Sequence, residues 1–266
     1  MFKDKVVAIT GAGSGIGRAL AVELARRGAR LALADVNAAA LEESLGLLAA
    51  STAARAYRVD VSSREAVYGF ADDVKRDFGT AHFIVNNAGT SVIATVEHLT
   101  LEEIEKVLAI NLWGVIYGTK AFMPMMLAQH EGCIVNVSSV FGLVAVPAQA
   151  SYVMSKFAVR GLTETLWQEL DGTGVRAVLV HPGGINTNIS KNSISATHET
   201  AHEKKLSAAF LGQMTTSPED CAKEIVAGLM RGDKRLLVGS GARAIHRLSR
   251  LFPNSYGDLM RRKLGI

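Results

Sequence analysis

Short runs of aliphatic and β-branched residues recur along the whole chain, and a longer helical pattern follows most of them. Near-continuous apolar runs suit strands that are buried on both faces, and helical segments between them suit right-handed crossovers in a parallel sheet. The alternation therefore predicts an α/β fold, a doubly wound parallel sheet of about seven strands with helices on both faces. The runs occupy residues 5–10, 30–34, 55–59, 82–86, 133–138, 175–181 and 235–239.

The segments between these runs repeat apolar residues at helical spacing. A chain of 266 residues that is 48% hydrophobic can bury one sizeable core, so we predict a single domain over residues 1–266. Pro124 lies inside a long helical pattern, and because proline removes a backbone donor, we expect a kink or break there. Helices are predicted for residues 16–27, 38–50 and 64–77, with two longer ones at 101–129 and 152–171.

A glycine-rich loop, Thr10 to Gly17 (TGAGSGIG), follows the first predicted strand and opens the first helix. Gly11 permits a tight turn, the middle glycines let the backbone approach a pyrophosphate, and Gly17 permits close packing of the helix. The N-terminus of that helix then faces the anion. In this context the loop predicts a Rossmann-type dinucleotide site. The predicted contacts in the loop are Gly11, Ser14, Gly15, Ile16 and Gly17.

Asp35 ends the second predicted strand, where a carboxylate can accept hydrogen bonds from the adenosine ribose hydroxyls. The same carboxylate repels a 2′-phosphate. Ser14 and Val36 occupy positions at which a basic residue would neutralise that phosphate, and we expect Arg18 to point along the helix. These residues predict NAD as the cofactor in preference to NADP.

Tyr152 and Lys156 are four residues apart in the second long helix, so the ammonium lies within reach of the phenol. A tyrosine side chain has a pKa of about 10, and a neighbouring positive charge lowers that pKa toward neutral pH. The pair therefore predicts a phenol that passes a proton to or from a substrate oxygen.

Several motifs occur together in the order and at the separations typical of one enzyme family. They are the glycine loop, Asn86-Asn87-Ala88-Gly89, Asn111, Ser139 and the Tyr152/Lys156 pair. On these motifs the chain resembles the short-chain dehydrogenase/reductase family, over roughly residues 5–190. The resemblance implies a Rossmann fold, a nicotinamide cofactor and either oxidation of an alcohol or reduction of a carbonyl.

The resemblance also implies roles for the catalytic residues. Tyr152 resembles the family's acid/base, and Lys156 the residue that lowers its pKa and binds the nicotinamide ribose. Ser139 resembles the hydroxyl that holds the substrate oxygen; the adjacent Ser138 alternates to the opposite face of a strand, so we choose Ser139. Asn111 resembles the residue that disturbs its helix and holds a water linking Lys156 to solvent.

Further cofactor contacts follow from the same resemblance. Asp60 and Val61, after the third strand, match positions that contact adenine. The turn at Asn87, Ala88 and Gly89 resembles one that supports the sheet beside the cofactor. The segment after the sixth strand resembles the one that contacts the carboxamide, with Thr187 as its hydroxyl. Its predicted contacts are Pro182, Gly183, Ile185 and Thr187, and Tyr152 and Lys156 complete the cofactor set.

The combined prediction is an NAD-dependent oxidoreductase that interconverts a secondary alcohol and a ketone by hydride transfer. The alternative is a cofactor-sensing regulator without turnover, which would have no need of Ser139, Tyr152 and Lys156. A dehydratase or epimerase is disfavoured, because the C-terminal region leaves little room for a larger substrate domain. Apolar residues near Ser139 suggest a hydrophobic alcohol, whereas a polar segment at about 188–215, the predicted substrate lid, points the other way.

His198-Glu199-Thr200-Ala201-His202 reads H-E-x-x-H, a pattern that can place two imidazoles on zinc. It lies inside the predicted lid. Lys205 and Ala208 occupy the positions at which the longer zinc motif would continue with glycine and histidine. We therefore expect a solvated lid and no metal site.

The net charge of +4 is unevenly distributed, since residues from Arg231 onward carry nine Lys or Arg against two acids. Without a basic stripe in the main body, we expect no nucleic-acid binding. The basic tail, about 241–266, alternates Arg243, Arg247 and Arg250 with apolar residues at helical spacing. Such a helix can rest on anionic lipid, but we favour a stripe that covers the protein's own core or a subunit contact.

The remaining expectations concern environment and assembly. Cys133 and Cys221 are far apart and form no metal or disulfide motif, so a reducing cytoplasm fits the chain best. Trp113, Phe157 and Trp167 lie on or near the long helices that, in the family it resembles, form contacts between subunits; they equally suit an ordinary core. We expect a homo-oligomer, either a tetramer or a dimer.

Overall fold

A computed structural model of the chain describes residues 1–186, 194, 196–198, 200–212 and 214–264. Within these ranges, seven parallel strands form one sheet in the order β3-β2-β1-β4-β5-β6-β7. The order reverses between β1 and β4, so the predicted doubly wound Rossmann-type sheet is confirmed. The strands are β1 Val6–Thr10, β2 Arg30–Asp35, β3 Ala54–Arg58, β4 Phe83–Asn86, β5 Gly132–Val137, β6 Val175–Pro182 and β7 Arg235–Val238.

Helices lie on both faces of the sheet. Ten α-helices are described: α1 Gly15–Ala25, α2 Ala38–Gly46, α3 Arg64–Phe78, α4 Leu101–Leu108, α5 Gly114–Ala128, α6 Ala150–Glu169, α7 Ala201–Leu211, α8 Pro218–Arg231, α9 Ala242–Leu251 and α10 Tyr256–Leu264. A π-helical segment, Ala109–Trp113, joins α4 to α5, and a short 3-10 helix, Val140–Gly142, follows β5.

The central strands are apolar because both of their faces are buried, whereas the edge strand β3 is only partly buried and carries Arg55 and Arg58. Val7 and Ile9 of β1 join a core that includes side chains of α1 and α8. Val6 and Ala8 alternate to the other core, which contains Phe70 of α3 and Phe122 of α5. Full burial of a large apolar side chain stabilises a fold by about 1.5–3 kcal/mol, so the two layers hold the sheet between them.

The long helix predicted for residues 101–129 departs from the prediction in one respect. Pro124 lies within α5, which continues past it to Ala128, so the expected break is absent. The irregularity lies instead at the π-helical segment, around the fully buried Asn111. A π-turn widens the backbone by one residue, a change often found at functional sites.

Two further observations concern the cysteines and the length of the helices. Cys133 and Cys221 are both buried free thiols. In the part of the chain that the structure describes, no helix is long and apolar enough to cross a membrane.

Candidate active site

A cavity of about 330 Å³ opens where the carboxyl ends of the first four strands meet. It lies beside β1 and β4, the point at which the strand order reverses and where open α/β sheets bind their ligands. Its lining residues are Gly11, Ser14, Gly15, Ile16, Asp35, Val36, Val59, Asp60, Val61, Asn87, Ala88, Gly89, Thr90 and Ile110.

The glycine loop is held tightly against the turn after β4. Asn87 Nδ2 donates to the carbonyls of Thr10 at 3.0 Å and Gly11 at 3.2 Å. A Cβ atom at Gly17 would lie 2.1 Å from the Gly11 carbonyl oxygen, so only glycine fits there. Ser14, the N-cap residue of α1, makes no side-chain cap hydrogen bond, which leaves the first-turn N–H groups of that helix to an external acceptor.

Asp35 is oriented by two backbone donors at the end of β2. Its carboxylate accepts from the N–H of Gly13 at 2.9 Å and from the N–H of Asn37 at 3.0 Å. A carboxylate has about four acceptor positions, so two remain for hydroxyl groups of a ligand. The fixed carboxylate makes this corner of the cavity an acceptor of hydrogen bonds.

Arg18 does not point along the helix as predicted. Its guanidinium reaches across to α2, donating to the Gly13 carbonyl at 2.5 Å, to Ser44 Oγ at 3.0 Å and to the Glu43 carboxylate at 2.7 Å. No local pattern around Arg18 predicts this contact, because Glu43 and Ser44 lie on the next helix. These bonds direct the guanidinium toward α2 and the Glu43 carboxylate.

Most of the predicted cofactor residues meet at this one cavity, and a few do not. Gly17 lies behind the loop and serves its packing. Pro182, Gly183, Ile185, Tyr152 and Lys156 lie outside the lining of the cavity. Thr187 is outside the described residues. Four further residues line the cavity but were not predicted as contacts, and all four are next to predicted features. Val36 and Val59 directly follow strand ends, Thr90 follows the Asn-Asn-Ala-Gly turn, and Ile110 precedes Asn111.

The segment after β6 closes against β7 and the 3-10 helix. Gly183 N–H donates to the Val238 carbonyl at 2.9 Å, and a Cβ atom there would lie 2.8 Å from Val140. Ile185 is buried and bridges to Thr216. These contacts place the segment next to the Ser139 region.

Tyr152 and Lys156 lie one turn apart on α6. Lys156 Nζ is 5.5 Å from the centre of the Tyr152 ring and donates to the Val137 carbonyl at 2.9 Å. Burial lowers the pKa of Lys156 to about 8, because removal from water disfavours the charged form. The lysine is therefore a buried amine that exchanges its proton near neutral pH.

Ser139 is the serine that reaches Tyr152. Its hydroxyl oxygen accepts from the Phe141 N–H at 3.1 Å, and the Ser139 side chain is close enough to Tyr152 to lower the pKa of the phenol. Ser138 Oγ instead donates to the Lys156 carbonyl at 2.8 Å, a buried structural bond. Ser138 and Ser139 therefore point to different neighbours, as their alternation along the strand predicts: Ser139 faces Tyr152, and Ser138 bonds to the backbone of α6.

The balance of effects on the phenol differs from the prediction. Burial raises the pKa of Tyr152, and the hydrogen bond from Ser139 lowers it. Lys156 lies near the ring, but in this structure the hydrogen bond with Ser139 is the interaction that opposes burial. A lowering of the Tyr152 pKa by Lys156 stays a prediction.

Asn111 is fully buried inside the π-helical segment, and its amide is used by two neighbouring elements. Asn111 Oδ1 accepts from the Thr90 N–H at 2.8 Å, while Nδ2 donates to the Thr90 carbonyl at 2.9 Å and to Ser155 Oγ at 3.2 Å. The residue thus ties the turn after β4 to α6. Gly89 lies against it: a Cβ there would be 3.3 Å from Asn111 Oδ1 and 3.7 Å from Lys156 Nζ.

A chain of buried amides also fixes α6 against the sheet. Asn86 Nδ2 donates to Asn136 Oδ1 at 2.9 Å, and Asn136 Nδ2 donates to Thr163 Oγ1 at 3.0 Å. Buried hydrogen bonds of this kind make packing specific, although Asn86 Oδ1 has no partner among the described residues. Helix α6 is therefore located relative to β4 and β5 by hydrogen bonds as well as by apolar contact.

The H-E-x-x-H motif does not form a described metal site. His198 is exposed, Glu199 lies outside the described residues, and the His202 side chain is not described. Within the described ranges, no group of three His, Cys, Asp or Glu side chains is placed to hold a metal ion.

The described part of the predicted lid is attached to the body by two buried glutamates. Glu203 of α7 is fully buried and accepts from Thr95 N–H at 2.6 Å, Thr200 N–H at 2.8 Å and His98 Nδ1 at 3.0 Å. Glu103 of α4 accepts from the Thr197 N–H at 2.7 Å. Burial raises the pKa of Glu203, but the hydrogen bonds outweigh it, and the net pKa is far below the usual range.

The aromatic residues of the long helices divide into two groups. Trp113 and Phe157 are exposed, and Met154 beside them on α6 is exposed as well. Trp167 is partly buried: its Nε1 donates to the Ala177 carbonyl at 3.1 Å, and Arg235 lies over its ring. Trp167 therefore belongs to the core, whereas the other three form an exposed apolar face.

The basic tail folds as α9 and α10 near the Ser139 region. Ile245 and Leu248 of α9 are half-buried, and Tyr256 Oη accepts from the Ala145 N–H at 3.1 Å. Leu251 is 71% exposed. The tail covers part of the protein's own surface, as favoured from the sequence, and contact with lipid stays an untested alternative.

The residues of the cavity fit a dinucleotide. The loop has glycine where a side chain would obstruct, the first turn of α1 has open donors, and Asp35 keeps acceptor positions. Ser14, Gly15 and Ile16 would hold a pyrophosphate, Asp35 an adenosine ribose, and Val61 with Asp60 an adenine ring.

Comparison with known proteins agrees with this arrangement. A family model described as short chain dehydrogenase matches residues 5–198. SadH of Mycobacterium tuberculosis is 44% identical over 264 residues, which cover 97% of this chain and 95% of that protein. Estradiol 17-beta-dehydrogenase 11 of Homo sapiens is 32% identical over 266 residues, which cover 98% of this chain and 84% of that protein.

Solved structures give the same result. A short-chain dehydrogenase/reductase from Burkholderia phymatum, in complex with NAD, is 31% identical and superposes with a TM-score of 0.87 over 96% of each chain. Solved relatives hold NAD or NADP, so a nicotinamide cofactor is the shared feature. The resemblance seen in the sequence is confirmed: the chain belongs to the short-chain dehydrogenase/reductase family of oxidoreductases, which act on CH–OH groups.

Proposed function

We propose that the protein is an NAD-dependent oxidoreductase that interconverts a secondary alcohol and a ketone. The observation that carries the proposal is the placement of Tyr152 one helical turn from the buried amine of Lys156, with Ser139 near enough to lower the pKa of the phenol. These groups lie beside a cavity whose residues fit a dinucleotide. A regulator that only senses cofactor finds no support among the relatives, and we set it aside.

The chain's own residues place the substrate and move one proton. Ser139 holds the substrate oxygen and Tyr152 Oη accepts its proton during oxidation, or returns it during reduction. The cofactor supplies the hydride acceptor or donor. Lys156, with a pKa lowered to about 8, can pass the proton onward, and we propose a route to solvent by way of Asn111, which lies beside Gly89.

The oxidation assay tests this function directly. Purified protein is supplied with NAD and a panel of alcohols at alkaline pH, and the absorbance of reduced nicotinamide is followed. The panel contains cyclohexanol, a long-chain secondary alkanol, xylitol and estradiol. We expect turnover of at least one secondary alcohol and none of its primary isomer; absence of turnover on the whole panel would count against the proposal.

Replacement of Tyr152 by Phe separates catalysis from binding. Tyr152→Phe keeps the ring but removes the proton-transfer group, so kcat should fall about a hundredfold or more. The dissociation constant for NAD should change less than about threefold, since the ring and its packing against Phe141 remain. Retained kcat in this variant would refute the role of the phenol.

The preference for NAD rests on Asp35 and on the bound state of Arg18. A fixed carboxylate repels a 2′-phosphate, and the guanidinium is occupied by Glu43 and Ser44. Titration of the protein with each cofactor should give a lower dissociation constant for NAD than for NADP. Asp35→Asn should reduce the ratio between the two dissociation constants. Equal or tighter binding of NADP by the natural chain would contradict the preference.

We propose a hydrophobic alcohol as the substrate class. The Phe141 ring stands edge-on to the Tyr152 ring at 6.2 Å, and Val140 and Val144 are buried next to it. A relative is named for its action on estradiol, which is a secondary alcohol with a large apolar body. The alcohol panel distinguishes hydrophobic from polar substrates. A hydrophobic site should turn over estradiol, cyclohexanol or the long-chain alkanol faster than xylitol.

The wider organisation is also proposed. We propose one domain over residues 1–266 with a substrate lid at about 188–215, a basic tail at about 241–266, and a homo-oligomeric dimer or tetramer in the cytoplasm. The exposed apolar face of Trp113, Met154 and Phe157 supports assembly, and the two buried free thiols suit a reducing compartment.

A further inference from the structure

His181 is a fully buried histidine on β6 that the family motifs do not include. Its Nδ1 lies 2.7 Å from the backbone carbonyl oxygen of Ser139. A carbonyl oxygen can only accept a hydrogen bond, so Nδ1 must carry the proton and donate. The contact therefore fixes the tautomer of the ring, with the lone pair on Nε2.

The surroundings keep His181 neutral. Burial lowers its pKa to about 4, the bond to Ser139 opposes that shift, and the positive groups Arg235, Arg160 and His246 add to it. Those groups come from β7, α6 and α9, and Glu164 of α6 pairs with both arginines. Because the ring does not gain or lose a proton near physiological pH, its Nδ1–H donates to the Ser139 carbonyl throughout that pH range.

The Ser139 peptide group is held from two sides. Its carbonyl accepts from the Gly142 N–H at 2.9 Å as well as from His181. Its side chain accepts from the Phe141 N–H at 3.1 Å and is close enough to Tyr152 to lower the pKa of the phenol. Rotation of this peptide group would move the hydroxyl away from the phenol, so the two carbonyl bonds set the direction of the hydroxyl.

We propose that His181 is a positioning residue for the reaction: its Nδ1–H fixes the Ser139 carbonyl and thereby keeps the Ser139 hydroxyl on Tyr152. The proposal rests on the proposed function for its kinetic consequence only. His181 touches neither substrate nor cofactor in this account; it acts through Ser139.

The same contact links the site to the C-terminal region. His181 Nε2, Arg235 Nε and His246 Nδ1 are buried polar atoms without a hydrogen-bond partner among the described residues. The far side of the His181 ring therefore faces buried groups of β7 and α9 without a direct hydrogen bond to them, so the Nδ1 contact with Ser139 is the hydrogen bond that orients the ring.

A matched pair of substitutions separates positioning from bulk packing. Asparagine can place its Nδ2 donor where the histidine Nδ1 lies, whereas leucine has nearly the same size as asparagine and no donor. His181→Asn should keep kcat within about threefold of the natural protein, and His181→Leu should lower kcat about tenfold or more, because small misplacements of a catalytic group are costly. KM for NAD should change less than about twofold in both variants.

The pH profile supplies a readout that loss of packing alone does not move. The Ser139 hydrogen bond lowers the Tyr152 pKa, so its loss should shift the pH midpoint of alcohol oxidation upward in His181→Leu, as in Ser139→Ala. The shift should be absent in His181→Asn. When His181→Leu is added to Ser139→Ala, it should cause no further change in kcat or in the pH midpoint, because His181 acts through Ser139.

Nitrogen NMR of histidine-labelled protein tests the contact without any substrate, with the His181 signal identified by its loss in His181→Asn. The neutral Nδ1–H tautomer, unchanged between about pH 5.5 and 8, supports the proposal. An Nε2–H tautomer overturns the proposal. A folded His181→Leu variant whose kcat and pH midpoint equal those of the natural protein overturns it as well. If His181→Leu does not fold, a large loss of kcat in His181→Asn overturns the proposal. Absence of turnover in the natural protein would sink the proposed function and leave the tautomer result to decide for His181.

Discussion

Lys156 shows at the residue scale how a catalytic group opposes stability. It is a nearly fully buried amine that donates to one described carbonyl, at Val137. Burial without a counter-charge disfavours the ammonium, which is why the pKa falls to about 8. The same property that lets the group exchange protons near neutral pH makes its charged form costly to fold.

Removal of that charge should therefore stabilise the protein. The folded pKa lies below the unfolded value, so protonation favours the unfolded chain, and stability rises with pH between about 8 and 10.5. At neutral pH, Lys156→Met should raise the free energy of unfolding by up to about 3 kcal/mol while abolishing turnover. Denaturant unfolding at neutral pH and at about pH 10 measures the difference, which should shrink at the higher pH. A Lys156→Met variant less stable than the natural chain at both pH values would contradict this reading.

At the scale of elements, the attachment of α7 depends on one carboxylate. Glu203 joins the start of α7 to the loop at Thr95 through hydrogen bonds that span more than a hundred positions of sequence. Its pKa is held far below the ordinary value by these bonds, in spite of burial. A group with a lowered folded pKa stabilises the fold above its unfolded pKa and loses that effect as pH falls.

Glu203→Gln should loosen this attachment at neutral pH. The glutamine amide has one oxygen, so it cannot accept from the N–H groups of both Thr95 and Thr200. The buried N–H that faces the amide NH2 is left without an acceptor, which costs about 1–3 kcal/mol of stability. Hydrogen exchange should report faster exchange of those two amides, and the difference from the natural chain should narrow as pH falls below about 4.5. Glu105→Gln, on an exposed position of α4, is the matched control and should change neither.

The sequence predicts elements better than it predicts the contacts between them. The central strands follow from apolar runs because burial on both faces leaves a continuous pattern. The cavity follows because the glycine loop and Asp35 stand at strand ends. The reach of Arg18 to α2 and the burial of Glu203 follow from no local pattern, since their partners are set by how helices pack. The site at His181 has the same origin: its partner, Ser139, is brought close only by pairing of β5 with β6.

For the whole molecule, the exposed apolar face of Trp113, Met154 and Phe157 is the feature that bears on assembly. Large apolar side chains exposed together mark interaction sites more often than ordinary surface does. They lie on α6 and on the π-helical segment that carries Asn111, so a partner on this face would brace the elements of the active site.

Charges placed on this face should separate the subunits. Trp113→Glu combined with Phe157→Glu buries two carboxylates in any apolar contact there. Under the proposed homo-oligomer, light scattering should therefore show a smaller assembly than it shows for the natural chain. Val96→Glu is the control, because Val96 is 72% exposed and lies neither on α6 nor on the π-helical segment. Natural assembly in the double variant would move the subunit contact elsewhere.

The uncapped first turn of α1 has a consequence for the life of the protein in a cell. Ser14 leaves the first N–H groups without a side-chain acceptor, so the helix end is completed by whatever anion enters the cavity. A ligand present at a hundred times its dissociation constant stabilises the folded chain by about 2.7 kcal/mol. Under the proposed function, supply of nicotinamide dinucleotide therefore sets resistance to proteolysis as well as rate, and starved cells would clear the enzyme faster than fed ones.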